Sequence, residues 1–322
     1  MQRHFSEFQG KRVLITGGAG FIGSHLAHRL AALGAEICVL DDLSGGCLEN
    51  LSGVEHTLFQ GSVEDPALVR AACSGVHIIF HEAALVSVPE SVEQPERCYS
   101  INNMGCQHLL SAASAEGVQR VVLASSAAAY GQTPSLPSSE GDTPDCWSPY
   151  AASKVAAELM SQAWGRVHGL STVNLRYFNV YGPRQNPNSA YAAVISAFAS
   201  ALTQGKQPTI FGDGSQTRDF THVSNVVLAN LLAATHPTKL MGDVFNVGLG
   251  RQTSLLELLK ALGSALNVEV APGFAAIRAG DVAHSCADIT RIKTALGYEP
   301  VTGFEAGLVD TLEDMRRRVE RV

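Results

Sequence analysis

The sequence predicts an α/β protein: a doubly wound parallel sheet with a second, smaller mixed α/β unit. Three observations predict it. Short β-branched runs alternate with helix-length amphipathic stretches through the first half of the chain. A glycine-rich turn joins the first run to the first amphipathic stretch, and the texture changes after about Gly182, where Pro, Asn and Gly cluster. Strands separated by helices imply βαβ units, and right-handed crossovers then place helices on both faces of one parallel sheet.

Taken in order, Arg12–Thr16 reads as an apolar first strand and Gly23–Leu33 as the helix after it. Strands follow at Glu36–Asp41 and His56–Gln60, a helix at Pro66–Ala72, a strand at His77–Glu82, a helix at Asn102–Glu116 and a strand at Arg120–Ser125. Ser148 and Pro149 supply a cap and a first-turn proline for a long helix, with Val155, Leu159, Ala163 and Val167 on one face. Ser171–Phe178 is the sixth strand. Beyond Gly182–Ser189 come a helix at Ala190–Gln204, a β segment at Pro208–Gly214, a helix at Ser224–Thr235 and a strand at Asp243–Val247. A serine-capped helix at Ser254–Leu266 and a short one at Thr290–Leu296 complete the reading. The expected division is 1–181 and 182–322, with the chain returning to the first unit around 222–248.

Composition narrows the partners. The 322 residues carry 23 basic and 30 acidic side chains, a net charge of −7 with no Lys/Arg run. Such a chain gains nothing from counterion release, so nucleic acid is not an expected partner. No run approaches the length of a membrane span, and the N-terminus has no apolar signal core. Seven cysteines without a CxxC pair read as the reduced thiols of a cytoplasmic protein, and no metal site is expected.

The chemistry starts at Thr16-Gly17-Gly18-Ala19-Gly20-Phe21-Ile22-Gly23, which follows a strand and opens a helix. In that context the glycines read as a Rossmann dinucleotide site. Gly17 permits the tight turn, Gly20 lets backbone approach a pyrophosphate, and Gly23 lets helix and strand pack closely. The helix N-terminus turns unpaired N–H groups toward the anion. Asp41 ends the second strand 18 residues after Gly23, where a carboxylate accepts hydrogen bonds from ribose hydroxyls and repels a 2′-phosphate. The cofactor expected is therefore NAD.

Tyr150 and Lys154 lie four residues apart on the Ser148-capped helix and so share one side of it. A free phenol titrates near pH 10 and is a poor base at neutrality. An adjacent ammonium and a cationic nicotinamide ring would favour the phenolate and lower that value. Ser126 stands just past the end of the fifth strand, where open α/β sheets build their sites, and its hydroxyl suits a bridge between substrate and Tyr150. Ser125 competes for that role, and the sequence leaves the choice open.

In order along the chain, TGGAGFIG, HEAALVSVPES, ASSAAAYG, SPYAASK, LRYFNVYGPRQ and GDGSQTRDF resemble the extended short-chain dehydrogenase/reductase family. Within it, the chain resembles bacterial UDP-N-acetylglucosamine 4-epimerases, from about Lys11 to Pro300. The resemblance implies a hydride shuttle: Tyr150 takes the proton of the sugar C4 hydroxyl, the C4 hydride passes to tightly held NAD, and the 4-keto sugar turns before hydride returns. It implies cofactor contacts at Phe21, Ile22, Ser62, Val63, Ala83, Asn102 and Tyr177 beside those at Gly17, Gly20, Gly23, Asp41, Tyr150 and Lys154. Ser62 departs from the aspartate common there.

Substrate contacts are implied at Ser87, Ser125, Ser126, Asn179, Gln185, Arg218, Arg278, Asp281 and Ser285. Arg218 and Arg278 suit a diphosphate, because an arginine fork pairs well with phosphate. Ser285 replaces a bulkier residue at the sugar pocket, which leaves room for a 2-acetamido group and favours UDP-GlcNAc/UDP-GalNAc, with UDP-Glc/UDP-Gal as further substrates. A homodimer through Asn102–Glu116 and Tyr150–His168 is implied as well. Ala127-Ala128 stand where sugar-nucleotide dehydratases carry an acid–base pair and decarboxylases a glutamate. A 4-epimerase of UDP-glucuronate or UDP-N-acetylglucosaminuronate is the alternative expectation, and a non-catalytic NAD-binding scaffold the more distant one.

Overall fold

Seven parallel strands form the central sheet: β1 (Arg12–Thr16), β2 (Glu36–Asp41), β3 (His56–Gln60), β4 (Ile78–His81), β5 (Arg120–Ser126), β6 (Thr172–Tyr177) and β7 (Met241–Val247). The computed structural model describes residues 5–132, 135–185, 193–276 and 282–319. Strand order is β7-β6-β5-β4-β1-β2-β3, so the direction of winding reverses between β1 and β4. The crevice at the carboxyl ends of those two strands is where such sheets bind ligands.

The helices that dress the sheet are α1 (Phe21–Ala32), α2 (Pro66–Cys73), α3 (Gly105–Ala115), α4 (Pro149–His168) and, after α5 (Ala193–Thr203), α6 (Val223–Ala234). Strand alternation sorts the core. Val13, Ile15, Phe80, Val122 and Leu175 face Leu26, Leu30, Val226 and Leu231 of α1 and α6. Leu14, Ile79, Val121 and Leu123 face Val69, Leu109 and Leu110 of α2 and α3. Both faces are covered, as a buried parallel sheet requires.

Beyond β6 a further core gathers Tyr181, Phe198, Ile210, Phe220, Leu258 and Leu262. It is built by α5, α7 (Leu255–Leu266) and α9 (Phe304–Val319), with α8 (Thr290–Leu296) between the last two. A capping box of Ser254 and Glu257 starts α7. Within this half the chain returns to the main sheet through α6 and β7, and β7 pairs in parallel with β6.

The predicted strands and helices are all present, with ends moved by a few residues. Among the described residues, three α-helices escaped the sequence reading. Val88–Glu93 and Pro95–Tyr99 are too short to show a period, and each starts at a proline-bearing first turn. The third, α9, is amphipathic but ends in a run of three arginines that masks its apolar stripe. The expected helix Asn102–Glu116 is also divided: a π-helical turn at Ser100–Met104 precedes α3.

Candidate active site

Backbone sterics fix the glycine turn. Gly17 has φ of 69°, and a Cβ there would lie 2.8 Å from the Ala83 nitrogen, just past the end of β4. A Cβ on Gly23 would stand 2.2 Å from the Gly17 oxygen. On Gly20, the N-cap of α1, it would meet only the Gly17 oxygen at 3.1 Å, and no side chain caps the helix. The turn is therefore sealed toward the sheet and open outward at a helix N-terminus, a fit for a pyrophosphate. Asp41 is 6% exposed at the end of β2. Its carboxylate accepts from Ala19 N at 2.9 Å and Leu43 N at 2.8 Å, so it braces the turn from the end of the neighbouring strand. Burial raises its pKa, against the pull of those two N–H groups.

Other expected cofactor residues are more occupied. The Ser62 hydroxyl donates to Glu64 at 3.0 Å, and Val63 is buried against Gly105. Ala83 N donates to Thr16 Oγ1 at 3.2 Å, at the crevice between β1 and β4. The Asn102 amide accepts from Leu85 N at 2.8 Å and donates to Ser153 Oγ at 2.9 Å, so its side chain pins the segment after β4 to α4. Tyr177 Oη donates to Glu82 at 2.9 Å and accepts from Asn230 at 2.8 Å.

Helix α4 carries Tyr150 and Lys154 to the carboxyl edge of the sheet. Ser148 Oγ accepts from Ala151 N at 3.1 Å, Pro149 fills the first turn, and Gly169 ends the helix at φ of 66°. Tyr150 and Lys154 are each 7% exposed. The Tyr150 phenol is hydrogen-bonded with Ser126, and Lys154 Nζ donates to Ala124 O at 2.9 Å. Strand alternation separates the two serines. Ser126 turns to Tyr150, whereas Ser125 donates to Glu158 and is buried. The Ser125 hydroxyl, expected at the sugar, is here committed to a carboxylate inside the protein.

In the protein by itself the Tyr150 phenol is held high, whereas the expected depression counts on a cationic nicotinamide ring beside it as well as Lys154. Burial pushes the Tyr150 phenol up to about 12, and the Ser126 hydrogen bond only partly opposes it. Lys154 contributes little because its ammonium lies 5.9 Å from the phenol ring centre and is bonded to a backbone carbonyl. Burial also lowers the Lys154 pKa, opposed chiefly by the carboxylate of Glu82. Withdrawal from water in turn pushes Glu82 up to about 7, against the Tyr177 hydrogen bond and the Lys154 charge.

The residues expected to meet substrate fall in two groups. Ser87 caps the short helix Val88–Glu93, accepting from Glu90 N at 3.2 Å. One turn on, Ser91 accepts from Tyr150 N at 3.2 Å, so this helix abuts the N-terminal end of α4. On the other side Asn179 O accepts from Thr221 N at 3.1 Å, and Gln185 donates to Val180 O at 2.9 Å. Arg218 Nη1 donates to Thr217 O at 2.9 Å, and Ser285 N donates to the same carbonyl at 3.1 Å. Arg218 and Ser285 are thereby brought side by side. Arg278 and Asp281 lie outside the described residues.

Glu82, Ser91, Glu158 and Arg176 were not singled out from sequence. The signal for Glu158 was present, since it continues the 150–154 stripe of α4 by another four residues. Glu82 and Ser91 had none, because only the fold brings them to Lys154 and Tyr150.

A profile of the NAD dependent epimerase/dehydratase family matches residues 13–248. A UDP-glucose 4-epimerase of Mycolicibacterium smegmatis is 39% identical over 315 residues, 95% of this chain and 99% of that protein. A UDP-N-acetylglucosamine 4-epimerase from Methanobrevibacter ruminantium, solved with UDP-N-acetylmuramic acid, superposes with a TM-score of 0.91 at 36% identity, covering 96% of this chain and 99% of its own. The Thermus thermophilus UDP-glucose 4-epimerase in complex with NAD gives 0.85 at 36% identity, with 95% and 99% covered.

Proposed function

The chain belongs to the NAD dependent epimerase/dehydratase family, and from that premise we propose that it interconverts the C4 epimers of a UDP-hexose, with UDP-GlcNAc and UDP-GalNAc the preferred pair. The observation that carries this reading is the Tyr150 phenol bonded to Ser126 above a buried Lys154, at the carboxyl edge of the sheet.

The glycine turn and Asp41 would hold NAD, with Lys154 and Tyr177 toward its nicotinamide end. Bound NAD supplies a cationic acceptor, and after one transfer a donor, for the hydride of the sugar C4. The residues of the chain handle the proton. Tyr150 Oη accepts it from the C4 hydroxyl while Ser126 Oγ bridges the two oxygens. Because the protein alone holds the phenol high, positive charge beside the ring is what brings Tyr150 into the working range. Once the 4-keto sugar has turned, the same two hydroxyls return the proton on the other face.

Substrate choice rests on Ser285, with Ser87 and Gln185 near the sugar, Asn179 and Arg218 toward the phosphates, and Arg278 and Asp281 toward the diphosphate and the uridine ribose. A short side chain at Ser285 leaves space for an acetamido group, and the likeness to a UDP-N-acetylglucosamine 4-epimerase supports the same choice. Ala127 and Ala128, in the turn that Ser126 caps, carry no acid or base able to serve the elimination of water or the loss of a carboxylate. We also propose that residues 1–181, together with the return around 222–248, hold the dinucleotide and that the rest of 182–322 holds the sugar nucleotide.

Incubation with UDP-GlcNAc, UDP-Glc and UDP-glucuronate separately, with products resolved by chromatography, tests the reading. UDP-GlcNAc should turn over fastest, and Tyr150→Phe should cut kcat by about 10³. Preferred turnover of UDP-glucuronate would assign the protein to uronate chemistry. No turnover of any UDP-hexose with NAD bound would leave a binding scaffold.

A further inference from the structure

The face of β6 that meets α4 is polar throughout. Val173, Leu175 and Tyr177 join the core on one side of the sheet. Thr172, Asn174 and Arg176 point the other way and are equally buried, at 0%, 0% and 3% exposure. Each of them meets α4. Thr172 Oγ1 donates to Ser161 O at 2.9 Å, and Asn174 Nδ2 to Ser161 Oγ at 2.7 Å. Arg176 makes a two-pronged pair with Glu158, Nε to Oε1 and Nη2 to Oε2, both 2.8 Å. Ser125, which pairs in register with Arg176 across β5 and β6, donates to the same carboxylate.

Glu158 is one turn below Lys154 and two below Tyr150 on the same face of α4. Ser125 is the residue between Ala124, which holds the lysine, and Ser126, which holds the phenol. Both partnerships of the catalytic pair are thus set by how α4 sits along β5. An apolar seam tolerates small slides, whereas a forked arginine–carboxylate pair with a third donor has one register.

We propose that Glu158, Arg176 and Ser125 are positioning residues, which lock α4 at the register that places Tyr150 on Ser126 and Lys154 on Ala124. The inference rests on the reading of Tyr150 and Ser126 given above. Removing one partner would strand a buried charge, so the test uses Glu158→Met with Arg176→Met, a pair of apolar replacements of similar bulk. The double variant should melt close to the wild type, with kcat lowered about tenfold or more and KM within about twofold. Its pH–rate profile should rise at higher pH, because a loosened Ser126 bond stabilises the phenolate less.

Fluorine NMR of fluorotyrosine incorporated at position 150 reads the same displacement without turnover, and should show a shifted or broadened resonance in the double variant. A double variant with wild-type melting, kcat, pH profile and resonance would overturn the proposal. Should it fail to melt cooperatively, Ser125→Ala takes its place. A kcat reduced about threefold at constant KM is expected there, and an unchanged kcat, or a change in KM alone, refutes the positioning role. Wild-type protein that turns over no UDP-sugar sinks the activity reading, and the fluorine resonance then decides the positioning question by itself.

Discussion

At the scale of the residue, the site is a contest between burial and compensating partners. Tyr150 sits where water is scarce, which drives its phenol up to about 12, and Ser126 supplies the opposing hydrogen bond. The sign of its removal follows. Ser126→Ala withdraws a donor to the charged form, so the Tyr150 pKa rises, and the acid limb of kcat/KM moves to higher pH. Rate measurements across pH on both proteins check this, and a limb that stays in place or moves down counts against the bond. Glu82 is the second contest. Its carboxyl, pushed to about 7, is the leading charge that sustains the Lys154 ammonium.

At the scale of the element, the turn into α1 and the length of α4 matter most. Gly23 has ordinary helical geometry, yet a Cβ on it would stand 2.2 Å from the Gly17 oxygen, and that neighbour is backbone. Gly23→Ala should therefore displace the turn, lower stability by about 1–3 kcal/mol and abolish NAD retention through gel filtration. Gly45→Ala is the control, since nothing lies within 4 Å of a Cβ there, and it should stay within about 0.5 kcal/mol of wild type. A Gly23→Ala protein that keeps NAD would separate close packing from cofactor binding. For α4 the elements at each end were readable: a serine cap, a first-turn proline and a terminal glycine. Its sheet-facing side was not. The sequence marked its Val155–Val167 stripe as the apolar face, but Leu159 is 59% exposed and Val167 75%. The buried stripe is Tyr150, Lys154, Glu158 and Ser161 instead, because a polar face of β6 receives it.

At the scale of the whole molecule, that inversion leaves apolar side chains outside. Val92, Tyr99, Met104, Leu159 and Val167 are 42–75% exposed, on α4 and on the segment leading into α3. We propose that a second copy covers them in a homodimer. Light scattering should give the mass of a dimer, and Leu159→Glu with Val167→Glu should give a monomer of unchanged fold. A monomeric wild type would refute the assembly.

Stability against pH is also a property of the whole fold. His25 and His81 are both pushed down to about 3 by burial, from 6.5. Kept neutral when folded, they contribute stability above pH 6.5 that is lost as pH falls toward 3. Glu82 has the opposite sign: raised from 4.5 to about 7, it favours the folded state at low pH, and that contribution fades as pH rises between those values. His222 is lowered as well, whereas burial raises Asp41, Glu140 and Asp219 alongside Glu82. The histidine contribution is therefore read by difference: urea midpoints of His81→Gln should fall less than those of the wild type as pH drops from 6.5. Those of Glu82→Gln should fall more, and a His81→Gln profile parallel to the wild type would mean that His81 is solvated.

The sequence by itself determined the order of strands and helices, the dinucleotide turn and the Tyr150–Lys154 pair, because these rest on local rules: alternation, capping, and glycine at a close approach. It also placed Asp41 at the end of β2. Tertiary structure decided which serine meets the phenol, which face of α4 is buried, and that Glu82 lies beside Lys154 and Ser91 beside Tyr150. Those outcomes depend on contacts between residues far apart in the chain, and a single strand's alternation becomes informative only once its neighbours and the helix above it are in place.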